Sequence, residues 1–263
     1  MNTRSQSGQV LLIIILLSTV LLTIGLSVSQ ITTQETQIAK LEEQSKKAFA
    51  AAEAGLDARL KSATDITNIA LILPSDSGII SGQATLDETP KTTFITPLLK
   101  KDEQYTFYLA DYPSLTNSFA NNLTVYYGSS PLSCSDVSLE LTIIYGTSPY
   151  NLTRYIADTG DHLGSEIDDI GQTPGGTLEG IVFNCKTSAI NVGAYSDAKL
   201  ILIRVLSPLS DLTTKIGFEG SANLKLQGKT ITSSATTSTG VSKKIQLFQS
   251  YPQIPADFFV TSF

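Results

Sequence analysis

The chain has 263 residues, and only 16% of them are charged, well below the roughly 25% usual for a soluble domain. With 18 basic and 24 acidic side chains its net charge is -6, which excludes the basic surface that a nucleic-acid-binding protein needs. One histidine and two cysteines are too few for the common zinc sites. The chain is nevertheless 41% apolar, enough to build a sizeable core and to exclude a disordered protein.

A segment without any charged side chain lies near the N-terminus, between Arg4 and Glu35. Within it, residues 10–28 read VLLIIILLSTVLLTIGLSV and are apolar apart from a few small residues. A helix rises about 1.5 Å per residue, so a stretch of this length crosses a hydrocarbon core of about 30 Å. We predict a transmembrane helix at about residues 10–29. Because Arg4 precedes it, the short leader is expected in the cytoplasm and the bulk of the chain outside.

Two simpler interpretations of this segment remain open. Ser27-Val28-Ser29 is an acceptable cleavage site for a secretory signal, and the mature chain would then begin at Gln30. The apolar region from Val10 to Leu26 is, however, longer than the roughly 7 to 15 residues of most signals. A plain signal anchor is the other alternative.

The residues after the apolar segment predict that the same helix continues. No proline interrupts residues 31–63, and alanine, the best helix former, is frequent among residues 48–58. Apolar residues recur at spacings close to three and four, which indicates one buried stripe. The stripe consists of Ile38, Leu41, Phe49, Ala52, Leu56 and Leu60. We predict one helix from about Val10 to Lys61, apolar in its first half and amphipathic in its second.

The rest of the chain changes to the pattern of β-strands. Runs rich in β-branched and aromatic residues alternate with Gly, Pro, Asn, Asp and Ser. They cover residues 105–111, 123–128, 137–146, 152–158, 179–185, 199–206, 214–220, 225–234 and 243–251. We therefore predict an α+β fold, in which a long N-terminal transmembrane-to-amphipathic helix is followed by a mostly antiparallel β-rich head. Residues 62–101 contain three prolines and are expected to form a connecting lobe with little regular structure.

Cys134 and Cys185 precede or end candidate strands in a region that should lie outside the membrane. Two cysteines in an exported domain favour one disulfide, which would close a loop of about 50 residues. Two buried free thiols remain the alternative.

A histidine and several carboxylates form the only cluster of titratable residues that suggests chemistry. His162 lies in the run ADTGDHLGSEIDD, residues 157–169. No nucleophile-elbow Gly-x-Ser-x-Gly accompanies it, and the spacing of an EF-hand is absent. Such runs are usually solvated loops, with calcium binding as the alternative. We predict no catalytic residue, no metal and no cofactor, and hence a protein that is not an enzyme.

The N-terminal region resembles type IV pilin-like proteins, and more narrowly minor pilins of the PilX type. The resemblance rests on Gly8-Gln9 followed by VLLII, and on the segment AFAAAEAGL at residues 48–56. It covers residues 1 to about 62 and implies that a prepilin peptidase cuts after Gly8 and that Gln9 becomes the methylated first residue. The implied organisation is a prepilin leader at 1–8, a pilin helix at 9–62 and an extracytoplasmic β-rich head at 63–263.

Ile13 departs from the pattern of major pilins, which usually have a glutamate at this position. In the family, that carboxylate pairs with the terminal amine of a neighbouring subunit, and such pairing offsets the cost of a charge in an apolar environment. PilX-like minor pilins and tip pseudopilins of type II secretion share the departure. The resemblance therefore implies a low-copy subunit, and leaves open whether the system is a pilus or a secretion apparatus.

The function implied by the resemblance is that of a structural minor pilin or pseudopilin of a type IV pilus-like filament. The protein would be a single-pass protein of the cytoplasmic membrane with its head outside, and would reach the pilus or cell surface after assembly, where the head serves assembly or adhesion. Its partners would be other pilins, the prepilin peptidase, membrane lipid and the pilus assembly platform, without nucleic acid. The residues expected to pack against other helices are Ile13, Gly25, Phe49, Ala52 and Leu56. The alternative is an exported or membrane-anchored surface binding protein unrelated to pili.

Overall fold

The structure is a computed structural model that describes residues 7–62, 64–161, 170–207, 209 and 211–255. For residues 7–10 it describes the backbone only. His162 and the acidic residues up to Asp169 lie outside the described residues, so the expectation of a solvated acidic loop stays a prediction.

The described residues form one long helix and 15 strands. The helix, α1, spans Ser7–Lys61. The strands are β1 (Ile79–Asp87), β2 (Thr93–Ile95), β3 (Leu99–Lys100), β4 (Gln104–Tyr108), β5 (Asn122–Ser129), β6 (Ser138–Tyr145), β7 (Asn151–Ala157), β8 (Gln172–Leu178), β9 (Ile181–Thr187), β10 (Ile190–Asn191), β11 (Ala198–Leu206), β12 (Thr213–Thr214), β13 (Gly217–Gly220), β14 (Gly228–Thr237) and β15 (Ser242–Ser250). The predicted α+β class, with one N-terminal helix followed by antiparallel sheets, is confirmed.

Each of the nine predicted strand segments contains a strand, but the expectation of an irregular lobe at residues 62–101 is wrong. That region contains the nine-residue strand β1, whose sequence IISGQATLD buries only Ile79 and Ala84. Its apolar residues therefore do not alternate as they do in a half-buried strand. Strand β8 was also missed, because Pro174 and two glycines resemble a loop. It lies at the edge of its sheet, where proline is tolerated.

The chain forms two compact units. The first unit comprises Met1–Leu86 and Ile231–Leu247, and the second unit comprises Asp87–Thr230 and Phe248–Phe263. The first unit therefore contains α1, nearly all of β1 and most of the hairpin of β14 and β15. The predicted boundary between residues 62 and 63 does not coincide with the boundary between these units.

Two antiparallel sheets enclose the core of the second unit. One has the order β4-β11-β6-β7, and the other has the order β2-β13-β5-β9-β8 with β10 also on β5. Phe107 of the first sheet stacks on Phe218 of the second, with ring centroids 3.9 Å apart and planes inclined by 11°. Both rings are fully buried, as are Tyr127, Leu141 and Ile201. The alternating apolar faces of the two sheets thus meet in one core, as in a β-sandwich.

Two glutamine side chains close the outer edge of β4. The Tyr108 N–H donates to Gln227 Oε1, and Gln227 Nε2 donates back to the Tyr108 carbonyl, each over 2.8 Å. The Thr106 N–H donates to Gln253 Oε1 over 2.7 Å. These amides replace the backbone of a further strand, so backbone groups at this edge have partners.

A disulfide joins Cys134 and Cys185, which are 51 residues apart in the sequence and have Cα atoms 5.5 Å apart. Cys185 lies on β9 and is buried, whereas Cys134 begins the short 3-10 turn Cys134–Asp136. The bond therefore fixes this turn to the β5–β9 region of the second unit.

Replacement of both cysteines by alanine is expected to lower the free energy of unfolding of the second unit by about 4 kcal/mol, because a bridge across such a loop restricts the unfolded chain. Denaturant unfolding of oxidised, reduced and doubly substituted protein measures the effect. The reduced and substituted proteins should unfold at the same midpoint, below that of the oxidised protein. An oxidised midpoint that reduction leaves unchanged contradicts a stabilising bridge.

Candidate functional site on the N-terminal helix

The first half of α1 exposes an apolar surface. Every described side chain from Leu11 to Glu43 is exposed, and the large apolar side chains between Leu11 and Val28 keep 47–65% of their surface accessible. The mean hydropathy of the most apolar window of α1 is 2.8, and none of that window is buried. The helix is long and apolar enough to cross a membrane. A core helix of a soluble protein would instead bury most of such a surface.

The polar side chains inside this apolar half bond to the helix itself. Three hydroxyl groups donate to the carbonyl three residues earlier. They are Ser18 to Ile15 and Thr19 to Leu16, both over 2.9 Å, and Thr23 to Val20 over 2.8 Å. A hydroxyl that bonds to its own backbone needs no partner from the surrounding lipid. These residues therefore do not conflict with a membrane location.

The second half of α1 packs through a face of small residues. Ala48, Ala51, Ala52 and Gly55 recur at intervals of three and four and are buried. Ala51 and Ala52 belong to one apolar cluster whose other members come from β1, β14, β15 and the segment before β1. These are Ile79, Ala235, Ile245, Ala70 and Leu73. Of the stripe predicted from the sequence, Ala52 is buried and Leu56 partly buried within this chain.

The larger members of that predicted stripe remain exposed. Ile38 and Leu41 keep 56% and 58% of their surface accessible, and Phe49 and Leu60 keep 47% and 43%. The reason is geometric, because a Cβ atom at Gly55 would lie 2.8 Å from Ser233 Oγ and closer still to Ile69 Cδ1. At such a separation only the small-residue face fits against the sheet.

The five residues predicted to pack against other helices lie in different environments in the structure. Ile13 is 61% exposed, Phe49 is exposed, and a side chain at Gly25 would meet nothing within 4 Å. Leu56 is partly buried. Ala52 is fully buried within its own unit, so its predicted contact with a neighbouring helix is corrected to an intramolecular one.

Gly8 and Gln9 lie within the backbone of α1, and their side chains are not among those described. Processing at this position stays a prediction.

An ion pair fixes the C-terminal end of α1. The Arg59 side chain is 8% exposed, and its Nε lies 2.8 Å from Asp65 Oδ1. Arg59 Nη1 also donates to the Ser62 carbonyl over 2.6 Å, and the Leu86 N–H donates to Asp65 Oδ1 over 3.0 Å. The bond from Leu86, followed by that from Arg59, lowers the pKa of Asp65 below its usual value. One carboxylate thus connects the end of α1 to the end of β1.

No family model matches the chain, and no curated protein or solved structure is detectably similar to it. The candidate site therefore rests on the geometry of α1 and on the sequence resemblance of its first residues.

Sequence reasoning missed the small-residue face and the Arg59–Asp65 pair. A signal for the face was present, because the spacing of Ala48, Ala51 and Gly55 is helical. Alanine and glycine are only weakly hydrophobic, however, so a search for apolar periodicity selects the large residues on the adjoining face.

The packed face of α1 can be tested by enlarging its glycine. Gly55→Leu is expected to destabilise the first unit by about 3 kcal/mol or more, because the new side chain has no room beside Ser233 and Ile69. Thermal unfolding of the full chain in detergent measures the effect. Ala50→Leu, an exposed position on the same helix, is the control and should leave the midpoint nearly unchanged. Equal midpoints for both variants would refute the close approach.

The ion pair of Asp65 makes stability depend on pH. Because its pKa is lowered in the folded state, its contribution to stability is complete above the usual carboxyl pKa of about 4 and is lost as the pH falls through the lowered value. Asp65→Asn should therefore be less stable at neutral pH and should lose less stability than wild type below about pH 4. Asp57→Asn, which breaks the exposed pair with Lys61, is the control with little effect. Melting temperatures across pH test both, and parallel acid profiles for Asp65→Asn and wild type contradict the prediction.

Proposed function

We propose that the protein is a structural subunit of a type IV pilus-like filament, as a minor pilin or pseudopilin. It is held in the cytoplasmic membrane by the first half of α1 and displays its β-rich region outside. The observation that carries this proposal is the division of α1 into an exposed apolar half and a half packed on a sheet. A helix of 55 residues is about 80 Å long, nearly three times the thickness of a bilayer core.

The exposed half of α1 has properties suited to exchange lipid for other helices. It has no charged side chain from Leu11 to Gln34, and its hydroxyl groups at Ser18, Thr19 and Thr23 bond internally. Gly25 offers a place where a second helix can approach closely, as small residues do in membrane helix packing. Moving such a helix from lipid into a bundle of equivalent helices therefore leaves these three hydroxyl groups paired.

Ile13 indicates which type of filament subunit this protein would be. Its apolar side chain cannot make the salt bridge to a neighbouring terminal amine that the glutamate of major pilins makes. The subunit therefore fits a low-copy position, where assembly depends on apolar packing rather than on that ion pair. The partners would be other pilins through α1, the prepilin peptidase that removes residues 1–8, and the assembly platform.

An exported or membrane-anchored binding protein is the second candidate, favoured by the acceptable signal cleavage site at Ser27-Val28-Ser29. In the structure the peptide bond after Ser29 lies within the continuous helix α1. Cleavage there would remove the apolar half and leave a soluble protein that starts at Gln30. The two candidates therefore differ in the mature N-terminus.

Co-expression of the full chain with an active prepilin peptidase, followed by mass spectrometry of the N-terminal peptide, tests the proposal. The expected product lacks residues 1–8 and starts with N-methylated Gln9. Gly8→Asn should keep the leader, whereas Gly25→Ala, a glycine away from the processing site, should be processed as wild type. A mature chain that starts at Gln30 supports the second candidate, and an intact leader beside an active peptidase contradicts processing.

A further inference from the structure

Strand β15 is a long open edge. It is the last strand of the three-stranded sheet β1-β14-β15, so β14 is its only strand neighbour within the described part of the chain. Eight of its nine residues are exposed, and only Ile245 is partly buried. An edge strand of this length presents a row of backbone donors and acceptors to a further strand.

The register of the hairpin shows which backbone groups face outward. The Thr237 N–H donates to the Val241 carbonyl over 2.9 Å, and the Tyr251 N–H donates to the Gln227 carbonyl over 3.0 Å. The two bonds share one antiparallel register, so the odd-numbered residues of β15 direct their backbone groups to β14. The even-numbered residues, Gln246 at the centre among them, direct theirs to the open edge.

Two other strand edges are covered, at least in part, by the protein itself. The edge of β4 is closed by Gln227 and Gln253, as described above. On the outer side of β1, Ala84 exchanges two backbone hydrogen bonds with Ile66, over 2.9 and 2.8 Å, and the Leu86 N–H bonds to Asp65. The described residues that follow β15 provide no such cover along its length. The edge of β15 is therefore open, unlike that of β4 and the covered end of β1.

We propose that β15 pairs antiparallel with β15 of a second copy of this chain, across a two-fold axis at Gln246. This register overlaps all nine residues and places the outward backbone groups of the even-numbered residues opposite each other. It sets Gln246 against Gln246. The flanking pairs are Ile245 with Leu247, Lys244 with Phe248, Lys243 with Gln249 and Ser242 with Ser250.

The side chains of β15 favour its own copy as the occupant. In the centred register neither Lys243 nor Lys244 faces another lysine, and like charges opposite each other would destabilise the pair. Lys244 meets the exposed ring of Phe248, which favours a cation, and Ile245 meets Leu247. The lysines also disfavour association with a basic strand of another protein. The side chains of SKKIQLFQS are thus compatible with antiparallel pairing to a second copy of the same strand.

The symmetry of this contact fixes how the two copies face each other. Within the first unit, α1 packs on one face of the sheet through Ala51 and Ala52. A two-fold axis that pairs edge strands runs perpendicular to the sheet, so it keeps both helices on the same face and reverses their direction. The two apolar halves then point to opposite sides. The contact consequently joins copies held on two facing surfaces, and it does not depend on cleavage after Gly8.

Disulfide cross-linking of the full chain in detergent tests the register. The Cα atoms of a hydrogen-bonded antiparallel pair are about 5.5 Å apart, a distance that a disulfide spans. Gln246→Cys should form a covalent dimer under mild oxidation, because this residue faces itself. Gln249→Cys, an exposed glutamine of the same strand that faces Lys243, is the matched control and should stay monomeric. Equal cross-linking of the two variants, or none for Gln246→Cys, overturns the register.

Two proline variants separate pairing from folding. Gln246→Pro removes an outward N–H, which an edge strand tolerates, so it should abolish the dimer in sedimentation and leave the melting temperature nearly unchanged. Leu247→Pro removes an inward N–H and should lower the melting temperature. Wild type should also cluster vesicles that carry the full chain, and Gln246→Pro should not. A wild type that is monomeric at every concentration, or clustering that persists in Gln246→Pro, refutes the proposal.

Discussion

The close approach of α1 to the sheet of β1, β14 and β15 is the constraint on which the first unit depends. Gly55 has no room for a Cβ atom beside Ile69 and Ser233, and Ala48 and Ala52 are completely buried. Because only small residues fit this contact, the large apolar residues of the same helix remain on its other side. Packing of α1 on its sheet therefore leaves most of the apolar surface of α1 exposed. The helix contributes to the fold through one narrow face of its second half, and the rest stays available to lipid or to other helices.

The charges of the chain are also distributed unevenly between α1 and the rest of the chain. Residues 1–60 contain five basic and five acidic side chains, so the net charge of -6 belongs to the remainder. Where α1 leaves the sheet, the buried Arg59 is paired with Asp65, and a buried charge without such a partner would be costly. The low overall charge is thus the average of an apolar rod and an acidic β-rich region.

The sequence predicted α1 from its apolar segment and the alanine-rich residues that follow it, and nine strand segments from runs of β-branched and aromatic residues between turn-forming residues. It did not predict β1, in which only Ile79 and Ala84 are buried, or β8, where Pro174 and its glycines suggest a loop. The apolar half of the site was predictable from composition alone. Its packed half was not, because the burial of an alanine such as Ala51 depends on a partner more than 25 residues away in sequence, Ile79. The hydrogen bonds from the side-chain amides of Gln227 and Gln253 to β4 could not be predicted from any local sequence pattern.

The two proposed association surfaces of the protein differ in symmetry, and the difference determines what each could build. Packing of parallel α1 helices is heterologous, since one face of a helix meets a different face of the next, and such contacts extend into open filaments. Pairing of β15 with itself is isologous and closes at two copies. It uses backbone hydrogen bonds along Ser242–Ser250, whereas α1 offers apolar side chains between Leu11 and Val28. Because the two surfaces share no residues, one copy can engage both. Helix packing would then lengthen a filament, and strand pairing would connect one filament or membrane to another.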